Sequence, residues 1–168
     1  MTPAAAVLGL VTLQRLGELL WGRRNAARLF AAGAVEHGRG HYPAMVALHA
    51  AWLVGLWLLA WDRPVAWPWL AAYAALQVLR AWVLATLGLR WTTRIVVLPG
   101  APLVRSGPYR FLRHPNYAVV VAEVAVLPLA FGLPWYALAF SLLNAAVLAV
   151  RIGAENAALA TASGGTGG

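Results

Sequence analysis

The chain of 168 residues contains no cysteine and no lysine, and only five of its residues are acidic. The missing cysteine excludes disulfide bridges, thiolate metal sites and cysteine nucleophiles. Charged residues make up only 11% of the chain and apolar residues 62%. Because this charged fraction is less than half that of an average soluble protein, the composition predicts a single domain that lies in a membrane.

All thirteen basic residues are arginines, and they give the chain a net charge of +8. Most of them lie between apolar runs, which fits the positive-inside bias of membrane proteins better than a nucleic-acid-binding face. Several of the nine tryptophans fall near the ends of apolar runs, where their rings favour the headgroup region. We therefore expect contact with membrane lipid and no nucleic acid partner.

Runs of apolar residues predict an all-α integral membrane protein with about five transmembrane helices. Three runs cover residues 3–20, 44–61 and 65–87. Two shorter runs, 118–131 and 134–150, predict a C-terminal helical hairpin. The start of the chain has no basic stretch ahead of its apolar run and no evident cleavage site, so the first run is expected to be a retained span.

Residues 21–42 predict a polar connector between the first two spans, with a short amphipathic stretch followed by a glycine-rich turn. Five crossings place ten arginines on one side of the membrane and only Arg63 clearly on the other. The positive-inside bias predicts that the arginine-rich side is cytoplasmic and that the N-terminus lies outside.

Ionisable residues inside predicted spans need partners, because an unpaired charge in hydrocarbon is costly. Arg15 and Glu18 are three residues apart and predict an ion pair on one helix face. Glu123 lies in the fourth run and predicts a structural partner across the bundle. The candidates are Arg80, Gln77 and His49. For His49 a hydrogen bond to a neighbouring helix is favoured, with a place in a pocket as the alternative.

Glu36, His37 and His41 form the single cluster with metal-ligand residue types. Histidines four residues apart can share a helix face, but Gly38 and Gly40 weaken the helix that this geometry needs. We therefore favour hydrated residues at the membrane surface over a metal site.

The stretch from residue 100 to residue 117, G-A-P-L-V-R-S-G-P-Y-R-F-L-R-H-P-N-Y, is polar and interrupted by prolines. Such a segment cannot face lipid, since its unpaired backbone groups would be costly there. The predicted hairpin returns Arg151 to the side of Tyr117, and Glu155 follows Arg151 by one helical turn. The sequence therefore predicts a pocket with an imidazole, phenols, a guanidinium and a carboxylate, in which Arg151 suits an oxyanion.

The motif G-P-Y-R-F-L-R-H-P-N-Y at 107–117, followed by R-I-G-A-E at 151–155, resembles the isoprenylcysteine carboxyl methyltransferase family of integral membrane enzymes. In the first half, R-N-A-A-R, G-A-V-E-H-G and H-Y-P-A-M-V-A-L-H are similar to the short bacterial branch. Members of that branch include O-methyltransferases that act on alkylpyrones and alkylresorcinols made by type III polyketide synthases. The resemblance implies S-adenosylmethionine as methyl donor, bound outside any Rossmann domain, and no Gly-x-Gly-x-x-Gly motif follows a plausible strand in this chain.

Matched position by position, the resemblance assigns substrate contact, and with it the catalytic role, to Arg151. It implies that the cofactor is held by Ala101, Pro102, Leu103, Val104, Tyr109, His114, Pro115, Asn116, Tyr117 and Glu155. For His114 this binding role is favoured over that of a general base. Residues 1–93 would then carry helices and the basic connector, residues 94–159 the cofactor-binding and catalytic region with its cytoplasmic loop, and residues 160–168 a disordered tail.

The expected substrate is lipophilic, and either a prenylcysteine-like carboxylate or an alkylpyrone-like or alkylresorcinol-like hydroxyl fits the resemblance. The bacterial-looking first half favours the second class, a bacterial plasma membrane, and a functional link to a type III polyketide synthase. Two rival hypotheses are a membrane reductase that uses a nicotinamide cofactor and a non-catalytic scaffold whose arginine-rich loops bind anionic lipid.

Overall fold

The computed structural model describes residues 2–164 and is an all-α membrane protein, as the composition predicts. Its five α-helices are α1 Pro3–Ala31, α2 Tyr42–Ala60, α3 Trp67–Leu87, α4 Pro115–Ala130 and α5 Pro134–Gly164. By length and composition, α1, α2, α3 and α5 can each cross a membrane, whereas α4 is shorter, with 16 residues.

Proline sets the start of every one of these helices. Each has a proline at its first or second position, where the missing N–H costs no hydrogen bond and the fixed φ already suits a helix. At α1 the hydroxyl of Thr2 also accepts a hydrogen bond from the backbone N–H of Ala5, at 3.1 Å. The start of each helix is therefore set by its local sequence.

Backbone and side-chain contacts identify which helix ends meet. The Thr2 hydroxyl donates to the carbonyl oxygen of Trp61, and the N–H of Ala66 donates to the carbonyl oxygen of Ala130 at 2.8 Å. The start of α1, the α2–α3 turn and the α4–α5 turn thus share one end of the bundle, which we name the turn end. At the opposite end lie the α1–α2 connector, the long α3–α4 segment and the last turns of α5.

Charge is distributed unequally between these two ends. Ten arginines and two glutamates lie at the end opposite the turn end, which we name the arginine-rich end. The remaining charges cancel, because Asp62 offsets Arg63 and the two other arginines face two glutamates inside the bundle. The whole net charge of +8 therefore sits at the arginine-rich end.

A short antiparallel ladder joins the two connections at the arginine-rich end. Strand β1, Val35–His37, pairs with β2, Ile95–Val97, in the register Val35 to Val97. The sequence did not indicate these strands, because each has three residues and its partner is about 60 positions away. The ladder ties the α1–α2 connector to the segment that carries the predicted site.

The largest differences from the predicted helix boundaries are at the ends of α1 and α5. Helix α1 continues to Ala31 through residues expected to form part of a polar connector, because its alanines, arginines and leucine favour helix and Gly22 does not interrupt it. Helix α5 continues to Gly164, into residues 160–168, which were expected to form a disordered tail. Residues 165–168 of that expected tail lie outside the described residues.

The core lies towards the turn end and is built from aliphatic and aromatic side chains. Its fully buried members include Leu8, Leu56, Leu127 and Phe131. Helices α2 and α5 approach closely at Gly55, where an added Cβ would lie 2.2 Å from the hydroxyl oxygen of Tyr136. This packing fixes the far ends of the helices that carry the candidate site.

Candidate functional site

The loop between α3 and α4 is fastened to α1 by Asn25. This side chain is fully buried, and its Nδ2 donates to the carbonyl oxygens of Trp91 at 2.8 Å and Gly88 at 3.2 Å. The ring of Trp91 also stacks on Trp21, with centroids 5.3 Å apart. No sequence pattern assigned a role to Asn25, because its partners are 63 and 66 residues away.

Further along, the same loop is held against α3 at Gly107. This residue has a φ of +55°, and an added Cβ would lie 2.4 Å from the hydroxyl oxygen of Thr86, so only glycine fits. Arg90 donates from Nη1 to the carbonyl oxygen of Pro102 at 2.6 Å and thereby closes the first part of the loop. The loop is therefore an ordered part of the site.

The His-Pro pair marks the start of α4. His114 lies before the helix with a non-helical backbone, and Pro115 occupies the first turn. The imidazole of His114 stacks on the ring of Tyr117, with centroids 5.4 Å apart. The pair thus sets where α4 begins and directs an aromatic stack toward α5.

Four side chains from α4, α5 and the residue before α4 form what we name the end cluster: Arg151, Tyr117, Glu155 and His114. Arg151 Nε donates to the Tyr117 hydroxyl oxygen at 2.9 Å, and that hydroxyl donates to Glu155 Oε2. His114 Nδ1 lies 3.9 Å from Glu155 Oε1. The residues that the sequence predicted to converge are therefore linked in one chain of contacts.

Arg151 is the most firmly held member of the end cluster. Its side chain is buried, Nη2 donates to the carbonyl oxygen of Thr93 at 3.0 Å, and Nη1 lies 3.3 Å from the sulfur of Met45. A guanidinium has five N–H groups, so these contacts and the bond to Tyr117 leave donors for a ligand.

Tyr109, on the short 3-10 turn Gly107–Arg110, completes the surroundings of Glu155. Burial, together with the negative charge of Glu155, raises the pKa of the Tyr109 phenol well above its usual value. The phenol therefore stays protonated at neutral pH and remains able to donate a hydrogen bond.

A cavity of about 360 Å³ begins beside the end cluster and runs into the bundle between α1, α2, α4 and α5. Arg151, Tyr117 and Asn116 line it, while most of its wall is apolar. Leu16 of α1 and Val46 of α2 also line it and are 53% and 39% exposed. The cavity is thus bordered by residues that face the lipid side of the bundle, which suits entry of a lipophilic molecule between α1 and α2.

Four ionised side chains at the inner end of the cavity form what we name the buried cluster: Arg15, Glu18, Arg80 and Glu123. The predicted Arg15 to Glu18 pair is present at 3.0 Å, and Arg80 bridges Glu18 at 2.6 Å and Glu123 at 2.9 Å. The cluster carries no net charge, and every carboxylate oxygen in it accepts a hydrogen bond.

Two of the predicted partners of Glu123 are confirmed, and one is replaced. Arg80 and Gln77 both donate to its carboxylate, at 2.9 and 2.8 Å. His49 instead contacts through Nδ1 the carbonyl oxygen of Met45, at 2.9 Å, in its own helix α2, so the predicted hydrogen bond to a neighbouring helix is wrong. The alternative place in a pocket agrees with the structure, because His49 lines the cavity. Arg15, which the sequence paired only with Glu18, donates to Glu123 as well, at 2.9 Å.

Not all of the predicted cofactor residues line the cavity. Pro102 and Leu103 are exposed, and Ala101 and Val104 are partly buried, in the extended segment after β2. Glu155 contacts Tyr117, which lines the cavity, and Tyr109 lies near Glu155. His114 and Pro115 directly precede the cavity-lining Asn116. The predicted cofactor residues therefore fall into two groups, the segment 101–104 at the surface and a partly enclosed group formed by the others.

Glu36, one of the three residues considered as metal ligands, forms ion pairs instead. Glu36 forms ion pairs with Arg39 and Arg94, each at 3.2 Å, and belongs to β1. Among residues 2–164, no three histidine, aspartate or glutamate side chains are grouped to hold a metal ion.

Comparison with known proteins agrees with this geometry. Residues 69–161 match the model of the isoprenylcysteine carboxyl methyltransferase (ICMT) family, which covers more than half of the chain. The chain is also 38% identical to the Uncharacterized protein YpbQ of Bacillus subtilis (strain 168) over 159 residues, which are 91% of this chain and 94% of that protein. No solved structure matches the chain. The match spans α3, the loop, α4 and α5, with every residue of the end cluster, and the chain belongs to the isoprenylcysteine carboxyl methyltransferase family of membrane methyltransferases.

Proposed function

We propose that the protein is an S-adenosylmethionine-dependent O-methyltransferase that acts on a lipophilic acceptor at the membrane surface. The observation that carries this proposal is the end cluster, which lies beside a cavity bordered by exposed apolar side chains of α1 and α2. A polar cofactor approaching from water and an acceptor approaching from lipid would meet at Arg151.

The residues present fit S-adenosylmethionine. The Glu155 side chain is 28% exposed and suits the ammonium or the ribose hydroxyls of the cofactor, while the hydroxyl of Tyr117 donates to Glu155 and would hold that carboxylate in place. The aromatic face of Tyr109 suits the sulfonium cation. Asn116 Oδ1 is buried and has no hydrogen-bond partner among the described residues, so it offers an acceptor for a ligand donor. His114, Pro115 and the surface segment 101–104 complete the set implied by the family resemblance.

The bound cofactor would supply a methyl group made electrophilic by the neighbouring positive sulfur. The part played by the chain's own residues is alignment and charge. Arg151 would orient the acceptor oxygen and stabilise its anion, so that a carboxylate needs no base and a phenol or hydroxypyrone ionises more easily. The apolar cavity wall would exclude water, and holding both reactants in line is itself a large part of such catalysis.

The charge distribution supports a cytoplasmic location of the site. All of the net charge of +8 lies at the arginine-rich end, and the positive-inside bias favours placing that end in the cytoplasm. The similarity to a Bacillus subtilis protein supports a bacterial plasma membrane. We further propose that the acceptor belongs to one of two classes, a prenylcysteine-like carboxylate or an alkylpyrone-like or alkylresorcinol-like hydroxyl. An acceptor of the second class would be the product of a type III polyketide synthase.

Calorimetry on the purified protein in detergent tests the proposal. We expect the wild type to bind S-adenosylmethionine, and Glu155→Ala to weaken binding roughly 10- to 100-fold, since a hydrogen bond to a charged group contributes about 1.5–3 kcal/mol. His114→Ala should also weaken it, because its ring stacks on Tyr117. Arg63→Ala, at the turn end, is the control and should bind normally.

Two results would count against the proposal. A wild type that binds no S-adenosylmethionine would remove its basis. Binding of NADPH in preference to S-adenosylmethionine would favour the reductase hypothesis.

A further inference from the structure

Asn144 lies in the middle of α5 and has no part in the predicted site. Its side chain is only 2% exposed, and it lines the cavity. Its Nδ2 is buried and has no hydrogen-bond partner among the described residues. No motif distinguishes Asn144 in the sequence, so only the structure reveals its position.

A polar amide that is buried at this depth of a membrane protein without a hydrogen-bond partner destabilises the folded state, and packing contacts do not offset this. Asparagines that join transmembrane helices do so by hydrogen bonds between the helices, and the Nδ2 group of Asn144 makes none to any described residue. The side chains that line the cavity one turn further along α5, Val147 and Leu148, are apolar. A leucine at position 144 would serve packing better, which indicates that the amide serves a ligand.

The position of Asn144 relative to Arg151 restricts what that ligand is. The two residues line the same cavity from one helix and are seven positions apart, or roughly 10 Å along the axis at 1.5 Å per residue. Seven positions are close to two full helical turns, so both side chains lie on one face of α5 and one ligand can contact both. A ligand that binds both needs two separate oxygens, as two oxygens on one ring provide.

We propose that Asn144 is a specificity-determining residue that donates a hydrogen bond to a second oxygen of the acceptor. The acceptor would be a lipophilic molecule whose polar ring carries two oxygens, one oriented by Arg151 for methylation and one bound by Asn144. This inference rests on the proposed function for the identity of the acceptor site. It adds that a molecule with a single oxygen binds more weakly than one with two.

The test compares two probes that differ by one hydroxyl group, 5-pentylresorcinol and 3-pentylphenol. Their affinities are measured by calorimetry in detergent, with titrations into empty micelles subtracted. We expect the wild type to bind the resorcinol at least tenfold more tightly than the phenol. In Asn144→Leu, which keeps the side-chain size and removes the donor, the ratio should fall to near one because resorcinol binding weakens.

Two results would overturn the inference: a wild type that binds both probes equally, and an Asn144→Leu variant that keeps the wild-type preference. Asn144→Gln, which keeps an amide donor, should retain more of the preference than Asn144→Leu does. Binding of S-adenosylmethionine, measured on the same samples, shows that each variant is folded. The cofactor measurement also separates the two proposals. A wild type that binds no S-adenosylmethionine contradicts the proposed function, whereas the ratio of the two probe affinities still decides the role of Asn144.

Discussion

The protein contains two clusters of ionised side chains that differ in how far their charges are satisfied. In the buried cluster, Arg80 is 6% exposed and Glu123 2%, and each carboxylate oxygen accepts a hydrogen bond. In the end cluster, the Glu155 side chain is 28% exposed and His114 20%. The first cluster is closed and neutral, whereas the second lies at a surface and has donors and acceptors left for a ligand. The charges of the buried cluster are thus balanced inside the bundle, whereas those of the end cluster remain accessible at its surface.

Glu123→Gln should give the largest effect, because it leaves two arginines facing one carboxylate inside the bundle. Breaking a buried ion pair by removing one partner costs about 3–5 kcal/mol. We expect a marked drop in the midpoint of thermal unfolding in detergent, followed by circular dichroism. The double variant Arg15→Gln with Glu123→Gln restores neutrality and should regain part of the loss. Equal stability of the single variant and the wild type would show that the buried cluster does not hold the bundle.

Tyr117→Phe should have an intermediate effect that is confined to binding. It removes the hydroxyl between Arg151 and Glu155 and leaves the ring that stacks on His114. One such hydrogen bond contributes about 1 kcal/mol, so S-adenosylmethionine affinity should fall roughly fivefold with little change in stability. Tyr136→Phe is the matched control, because it also removes a hydroxyl that donates a hydrogen bond, here to the carbonyl oxygen of Trp52 at 2.8 Å, but far from the site. A similar loss of affinity in both variants would contradict the division between the clusters.

Arg94→Ala should have the smallest effect. Arg94 is 41% exposed, pairs with Glu36 at 3.2 Å and lies over the ring of Tyr42, while Glu36 keeps its second partner, Arg39. Arg94 itself is half exposed and the Glu36 side chain, which is only 7% exposed, still has Arg39 to balance its charge, so the unfolding midpoint should shift little and cofactor affinity should stay the same. Calorimetry that shows a tenfold loss of S-adenosylmethionine affinity would place the β1–β2 ladder within the binding site.

Features set by local sequence could be predicted, and features set by distant contacts could not. The apolar runs located the helices because length and composition decide which segments enter lipid. The start of α4 at Pro115 was missed, since the predicted run began at residue 118. The Arg15 to Glu18 pair followed from helix periodicity, and the need of Glu123 for a partner followed from the cost of a bare charge. The second partner of Arg15 and the whole of the β1–β2 ladder depend on how separate segments pack, so no local pattern indicated them.

The candidate site shows the same division. The His-Pro motif and the Arg-x-x-x-Glu spacing were sufficient to predict that four side chains lie close together, because the two ends of a helical hairpin lie on the same side. These are His114, Tyr117, Arg151 and Glu155. Asn25 and Asn144 were not singled out, since a lone asparagine has no motif. The role of Asn25 depends on two carbonyl groups more than 60 positions away. Asn144 is distinguished only by its buried Nδ2, which has no hydrogen-bond partner among residues 2–164.

The β1–β2 ladder has a consequence for work with shortened versions of the chain. A fragment trimmed to the family-matched residues 69–161 would keep the end cluster but lose β1, the Asn25 fastening of the loop and half of the buried cluster. It would also lose α1 and α2, which supply one wall of the cavity. Such a fragment should fail to assemble a working site on its own, and supplying residues 2–68 as a separate polypeptide should be needed to complement it.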